Sequence, residues 1–140
     1  TIAWMKKEMM DEKGAFYCAI DADSEGEEGK YYCWKEDELK TILGKEFEWV
    51  KDFYSINKDG YWEEEKYILL KTESDERFAQ KIGRSQKDFK LQLNKINTLL
   101  LSARKLRVAP GLDNKCLTSW NALAVIGLCD AYRVFKNDDF

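Results

Sequence analysis

Apolar and polar positions along the chain change period several times, and each change marks a predicted element. Residues 2–11 place Ile2, Met5, Met9 and Met10 on one side, the spacing of a short helix that Gly14 ends. The period then shortens. Residues 15–20 and 31–34 are aromatic and apolar on both parities, as strands covered on both faces are, and the ten residues between them are polar. This pattern predicts a hairpin with a long acidic loop.

Helical spacing returns at Lys35, where Glu36, Asp37 and Glu38 put acids in a first turn that Leu39, Ile42 and Leu43 anchor and Gly44 ends. A second short helix is expected over 46–54 through Phe47, Val50 and Tyr54, before the turn signal Asn57-Lys58-Asp59-Gly60. Residues 61–70 read as extended or irregular, with a short strand at 68–70. Ser74 and Asp75 can cap a helix that stops at Gly83. The longest predicted element is 86–109, where Phe89, Leu93, Ile96, Leu100 and Ala103 repeat at spacings of four and three until Pro110. Burying its four large members contributes roughly 6–12 kcal/mol before entropy, so this helix requires a partner surface. A last helix over 119–135, with Thr118 as N-cap, is apolar nearly all round: Trp120, Leu123, Val125, Ile126, Leu128, Ala131 and Val134. Such a helix is expected to be enclosed on every side, by an inner ring set within an outer ring of helices.

Composition supports a folded chain. Five Trp, seven Tyr and seven Phe among 140 residues are too many aromatics for a disordered acidic segment. The net charge of -3, from 26 acidic against 23 basic residues, leaves no surplus to neutralise a phosphate backbone, which argues against nucleic acid. No run of 18 apolar residues is present to span a membrane, and the first residues lack the layout of a signal peptide. The chain opens inside an apolar helical pattern without Met and without an N-cap, so an upstream continuation is expected. Cys18, Cys33, Cys116 and Cys129 show no C-x-x-C spacing. They are expected to be reduced and buried, although a hairpin centred near Glu25 would set Cys18 opposite Cys33.

The chain contains no histidine, which removes Ser-His-Asp triads, Cys-His dyads and histidine metal sites together. Carboxylates beside aromatics remain. The loop Asp21-Ala22-Asp23-Ser24-Glu25-Gly26 opens like a calcium loop, but Tyr32 stands where the bidentate Glu belongs. Two readings stay open for it: a solvated acidic turn, or a polyol site in which carboxylates lie next to the stacking faces of Tyr17, Tyr31 and Trp34. Paired carboxylates also serve glycoside hydrolysis, one as proton donor and the other as base or nucleophile. The second constellation is the polar turn from Asp113 to Asn121 leading into the last helix, where Trp120 and Asn121 meet orphan backbone amides. There Asp113 and Thr118 either cap or bind, Lys115 either pairs with a carboxylate or binds, and Trp120 either fills core or lines a cleft. Arg104 and Arg107 can offset the long helix's dipole or reach into this turn.

Three stretches occur together and in order: Gly14-Ala15-Phe16-Tyr17-Cys18-Ala19-Ile20-Asp21-Ala22-Asp23-Ser24-Glu25-Gly26-Glu27-Glu28-Gly29-Lys30-Tyr31-Tyr32-Cys33-Trp34, then Asp59-Gly60 with Trp62-Glu63, then Asp113-Asn114-Lys115-Cys116-Leu117-Thr118-Ser119-Trp120-Asn121. Together they resemble the spermatogenesis-associated thioredoxin-domain family. Two departures stand out, Asn114 where the family often has Asp and Ala122 where it often has Gly.

The resemblance implies a fold that is mainly α with a small β-hairpin insertion, a fragment of an (α/α)6 toroid similar to six-hairpin glycosidases and N-acylglucosamine epimerases, in a parent that also carries a thioredoxin-like domain. Within one partial domain, 1–13 would be a helix of the ring, 14–70 the inserted hairpin and short helices, and 71–140 the long amphipathic helix and the buried inner helix. Fold leaves the reaction open. Carried onto matching positions, catalytic candidates are Asp21, Asp23 and Asp113, and ligand-binding candidates are Glu25, Trp34, Lys115, Trp120 and Asn121; no metal and no cofactor is implied. The expected activity is carbohydrate-processing-like, binding or acting on a sugar or polyol in the cytoplasm. The alternative is a non-catalytic binding or scaffold module that works with the thioredoxin-like domain. A fragment of this kind is expected to be inactive alone, to pack against the missing parts of its parent, and to self-associate.

Overall fold

Two helices of this chain start where Ser74 and Ser85 cap them, while two of the three strand pairs join segments far apart in sequence. The computed structural model describes residues 1–140, and the fold is mainly helical with small antiparallel strand pairs. The chain divides into two units. One comprises Thr1–Ala22 with Pro110–Phe140, and the other Asp23–Ala109. These divisions fall at 22/23 and 109/110.

The first unit contains α1 (Ile2–Glu8), β1 (Ala19–Ile20), β6 (Leu112–Asp113) and α6 (Thr118–Phe135). After α1 the chain doubles back, with Met10 and Phe16 forming an isolated antiparallel bridge and the Tyr17 amide donating to the Met9 carbonyl at 2.7 Å. β1 pairs antiparallel with β6, Ala19 against Asp113 and Ile20 against Leu112. The expected pairing of 15–20 with 31–34 is therefore corrected. Both strands exist in part, but each takes a distant partner because two-residue strands carry no register of their own.

α6 begins one residue earlier than expected. Leu117 is its N-cap, so Thr118 lies inside the first turn and no side chain caps the helix. The enclosure predicted for this apolar helix is not provided by these residues, since none of its side chains is buried. Leu123, Val125, Ile126, Val134 and Phe135 all stand exposed.

The second unit is built on two apolar clusters. Its elements are β2 (Asp23–Ser24), β3 (Glu27–Glu28), β4 (Trp34–Lys35), α2 (Glu36–Leu43), α3 (Phe47–Phe53), β5 (Lys66–Tyr67), α4 (Asp75–Lys81) and α5 (Gln86–Arg104). Within the acidic loop, β2 and β3 close a hairpin over the two residues Glu25 and Gly26, both at positive φ, 55° and 77°. That is the twist a two-residue hairpin requires. β4 pairs with β5, Trp34 against Tyr67. Three acids in the first turn and Gly44 at the C-cap bound α2 as read, while Ser74 and Ser85 cap α4 and α5 by accepting from the amides of Arg77 and Asp88.

The stripe on α5 is buried as the spacing requires. Ile96 and Leu100 pack with Trp34, Leu39, Leu43 and Phe47, and Phe89 and Leu93 pack with Phe53 and Phe78. Trp49 and Tyr54 touch both clusters. Phe53 and Phe78 meet edge to face at 5.0 Å between centroids, as do Phe53 and Phe89 at 5.3 Å, an arrangement favoured by ring quadrupoles. α5 stops at Arg104, short of the expected 109. The residue before a proline avoids the helical region, and Arg107 turns away to bonds of its own, described below.

Candidate functional site

The candidates drawn from the sequence fall into both units, so each group is described where it lies. In the first unit the β1–β6 ladder organises Asp21 and Asp113. The Asp21 amide donates to the Gly111 carbonyl at 2.8 Å, and the Cys18 amide to the Asp113 carbonyl at 3.2 Å. Asp21 thus stands opposite Gly111, and a Cβ placed on Gly111 would lie 3.9 Å from the Asp21 Cβ. Side chains directly opposite, and those two residues along, share a face of an antiparallel ladder. Asp21 and Asp113 are therefore diagonal neighbours on one face, with backbones roughly 7–8 Å apart. An open groove of about 530 Å³ is lined by these residues and by Ala19, Ala22 and Leu112.

Lys115 joins this group. Its ammonium lies 3.0 Å from Asp113 Oδ2, and the hydrogen bond it donates holds the Asp113 carboxyl below its ordinary range while raising its own pKa. Asp113 is thereby kept ionised, as an acceptor. Lys115 pairs with a carboxylate, one of the two roles open to it from the sequence.

Trp120 and Asn121 occupy the first turn of α6 and line a separate, mostly apolar cavity of about 160 Å³ with Met5, Met9, Phe16 and Cys18. Asn121 is committed to the backbone. Its Oδ1 accepts from the Phe16 amide at 2.7 Å, and its Nδ2 donates to the carbonyls of Phe16 at 2.9 Å and Leu117 at 3.1 Å. This side chain replaces a strand edge, tying residue 16 to α6 across 105 positions of sequence. Trp120, by contrast, is 53% exposed.

In the second unit, Asp23 and Glu25 lie on the β2–β3 hairpin, where Glu25 pairs with Lys30 at 3.0 Å. Trp34 is 3% exposed and belongs to the larger apolar cluster, with the Arg107 guanidinium 4.1 Å from its ring centroid. The stacking face expected for a ligand is occupied by that cation.

Arg107 is the centre the sequence did not single out correctly. Its Nη1 donates to the carbonyls of Lys30 at 3.1 Å, Tyr31 at 2.8 Å and Cys33 at 2.8 Å, and its Nη2 meets both oxygens of Glu38 at 2.8 Å. A planar fork matches a carboxylate and a turn of carbonyls at once, which no other side chain does. Lys66 is the second such centre, with its side chain 8% exposed. Its ammonium is hydrogen-bonded to Glu27 and lies 3.1 Å from Glu64. The bond to Glu27 raises the Lys66 pKa, and the same bond lowers that of Glu27. The only hint in the sequence is a single cation following three glutamates at 63–65.

The cysteines are all unpaired, but only Cys33 is buried; Cys116 and Cys129 are exposed, which corrects the expectation of four buried thiols. Burial pushes the Cys33 thiol upward in pKa. No helix is long and apolar enough to cross a membrane.

No family model matches the chain. It is similar to an uncharacterized protein of Caenorhabditis elegans, at 30% identity over an alignment that covers 91% of this chain and 21% of that protein. The chain therefore spans about a fifth of the length of the relative it matches.

Proposed function

We propose that this chain forms part of a carbohydrate-processing-like helical toroid and binds a sugar or related polyol in the groove over β1 and β6. The observation that carries this reading is the placement of Asp21 and Asp113 on one face of the ladder, with Gly111 opposite Asp21 contributing no side chain between them. Two carboxylates on one face of a ladder can accept hydrogen bonds from hydroxyls of one sugar. Asp113, held ionised by Lys115, takes the part of acceptor or base. The toroid is supported by the predominance of helix and by α6, which is apolar all round yet unburied, as an inner-ring helix without its neighbours is. Four unpaired cysteines fit a cytoplasmic setting.

A panel of mono- and oligosaccharides added to the full-length protein tests the reading by melting temperature and Trp fluorescence. A ligand at a hundred times its Kd stabilises by about 2.7 kcal/mol, and Asp113→Asn should remove most of that shift. If no saccharide moves either signal, the reading fails. The alternative, a non-catalytic scaffold module working with a thioredoxin-like domain, is favoured by the exposed apolar face of α6. It gains if saccharides do nothing while a peptide or protein partner protects α6 amides from exchange.

A further inference from the structure

The second unit holds a cavity of about 450 Å³ that the proposed groove does not use. This volume lies within the range of about 300–1,000 Å³ common to small-molecule sites. Four carboxylates line it, Glu25, Glu27, Glu38 and Glu64. Four cations line it too, Lys30, Lys35, Lys66 and Arg107. The charges cancel, and most are already matched: Arg107 with Glu38, Lys66 with Glu27 and Glu64, and Lys30 with Glu25.

That matching decides which ligand chemistry fits. Lys35, the one unmatched cation, is exposed and screened by solvent, so a ligand with net charge gains little there and otherwise has to draw a partner away from one of these pairs; stripping Lys66, which is almost wholly buried, leaves an uncompensated charge in low dielectric. A hydroxyl group makes no such demand. It donates to a carboxylate and accepts from the neighbouring ammonium while both remain paired, so a row of hydroxyls suits a wall of alternating charge. An aromatic surface is present as well. The Tyr31 ring lines the cavity, backed by the Arg104 guanidinium 5.3 Å from its centroid, and Leu106 and Val108 add apolar area. The walls are held in place by Ser24, whose Oγ donates to the Val108 carbonyl at 2.6 Å, and by the Arg107 bonds to residues 30–33.

We propose that this cavity is a site for a neutral polyhydroxylated ligand, such as an uncharged mono- or disaccharide, distinct from the groove at Asp21 and Asp113. The site does not depend on the groove, because every residue lining it belongs to the other unit.

The test is a titration of the intact protein, followed by amide chemical shifts, with maltose and myo-inositol as neutral probes, glucuronate as anion, glucosamine as cation and glycine as zwitterion. Neutral probes should shift amides of 24–38 and 106–108, and bind at least tenfold more tightly than the charged probes or glycine. Tyr31→Ala should weaken binding about tenfold, and Tyr31→Phe should retain it. Glu25→Gln, at an exposed hairpin turn, gives a second variant that leaves the core untouched and should also weaken binding. Asp113→Asn should leave all of this unchanged, so failure of the groove leaves shifts at 24–38 intact, whereas failure of the cavity removes them alone. The proposal is overturned if those shifts are absent, if charged or zwitterionic probes bind as tightly as neutral ones, or if Tyr31→Ala and Glu25→Gln both leave the Kd unchanged.

Discussion

Replacing Arg107 by Ala tests the claim that one side chain holds together the turn at 30–33, Trp34 and the start of α2. The guanidinium donates to three carbonyls and to both oxygens of Glu38, and covers the Trp34 ring, with only 19% of the side chain exposed. Hydrogen bonds involving a charged group contribute about 1.5–3 kcal/mol each and a cation over an aromatic ring about 0.5–2 kcal/mol, but bonds sharing one donor group do not add. Three carbonyls left without a donor, set against a Glu38 that can rehydrate, give an expected loss of about 3–5 kcal/mol. Arg107→Lys keeps the charge but loses the planar fork and the stacking, and should cost about 1–2 kcal/mol. Urea unfolding followed by Trp fluorescence reads both, since Trp34 lies directly beneath the guanidinium. With a slope of about 2 kcal/mol/M, the Ala variant should shift the midpoint down by about 2 M. A loss under about 1 kcal/mol, or a Lys variant as stable as the parent, would show that water satisfies those carbonyls equally well and would refute the reasoning.

Gly29→Ala should cost about 1–3 kcal/mol by the same assay, since φ is +70° there and the new methyl would sit 3.2 Å from Cys33 Sγ and 3.3 Å from Trp62 Nε1; no loss would mean that the turn relaxes freely. The Glu27–Lys66 pair sets a pH window. The Glu27 pKa is lowered on folding, so its contribution is complete above the ordinary glutamate range and lost as pH falls through the lowered value. That of Lys66 is raised, so its contribution is complete below the ordinary lysine range and lost as pH rises through the raised value. Unfolding measured from acid to alkaline pH should therefore show a plateau between those limits, and Lys66→Met should flatten the acid-side decline; an identical decline in the variant would remove Glu27 as its cause. Trp120→Ala should cost only about 1 kcal/mol because half the side chain is exposed, against about 3–5 kcal/mol for a core Trp, and a loss in the higher range would mean that α6 is covered in solution.

Local signals in the chain were sufficient for the helices. Acids at 36–38 with Gly44, Ser74 before α4, and the stripe from Phe89 to Leu100 each act within one or two turns, where capping and side-chain spacing are decided by neighbours in sequence. Of the strands, β1 and β4 overlap the apolar runs but their partners were not legible; β2 and β3 lie inside the acidic loop, β6 at the polar turn, and β5 at Lys66–Tyr67 precedes the strand expected at 68–70, which does not form. The tight turn at Glu25 and Gly26 was hidden too, because Glu is an unusual residue at positive φ and hairpin turns are normally read from Asn-Gly or Asp-Gly. Of the candidate site residues, Asp21 and Asp113 share a face of one ladder with Lys115 paired to Asp113, Asn121 proves to be a backbone tie, and Trp34 lies beneath Arg107.

The sequence by itself determined which segments are helical and which helix faces are apolar, since those properties depend on residues three and four apart. Only the tertiary structure decided that β1 pairs with β6, that Lys66 faces Glu27, and that Arg107 serves residues 30–38. Each of those contacts joins residues 39 or more positions apart. Their stability comes from desolvated charges and carbonyls meeting in one place, and no local pattern of hydrophobic and polar positions encodes which distant partner arrives there.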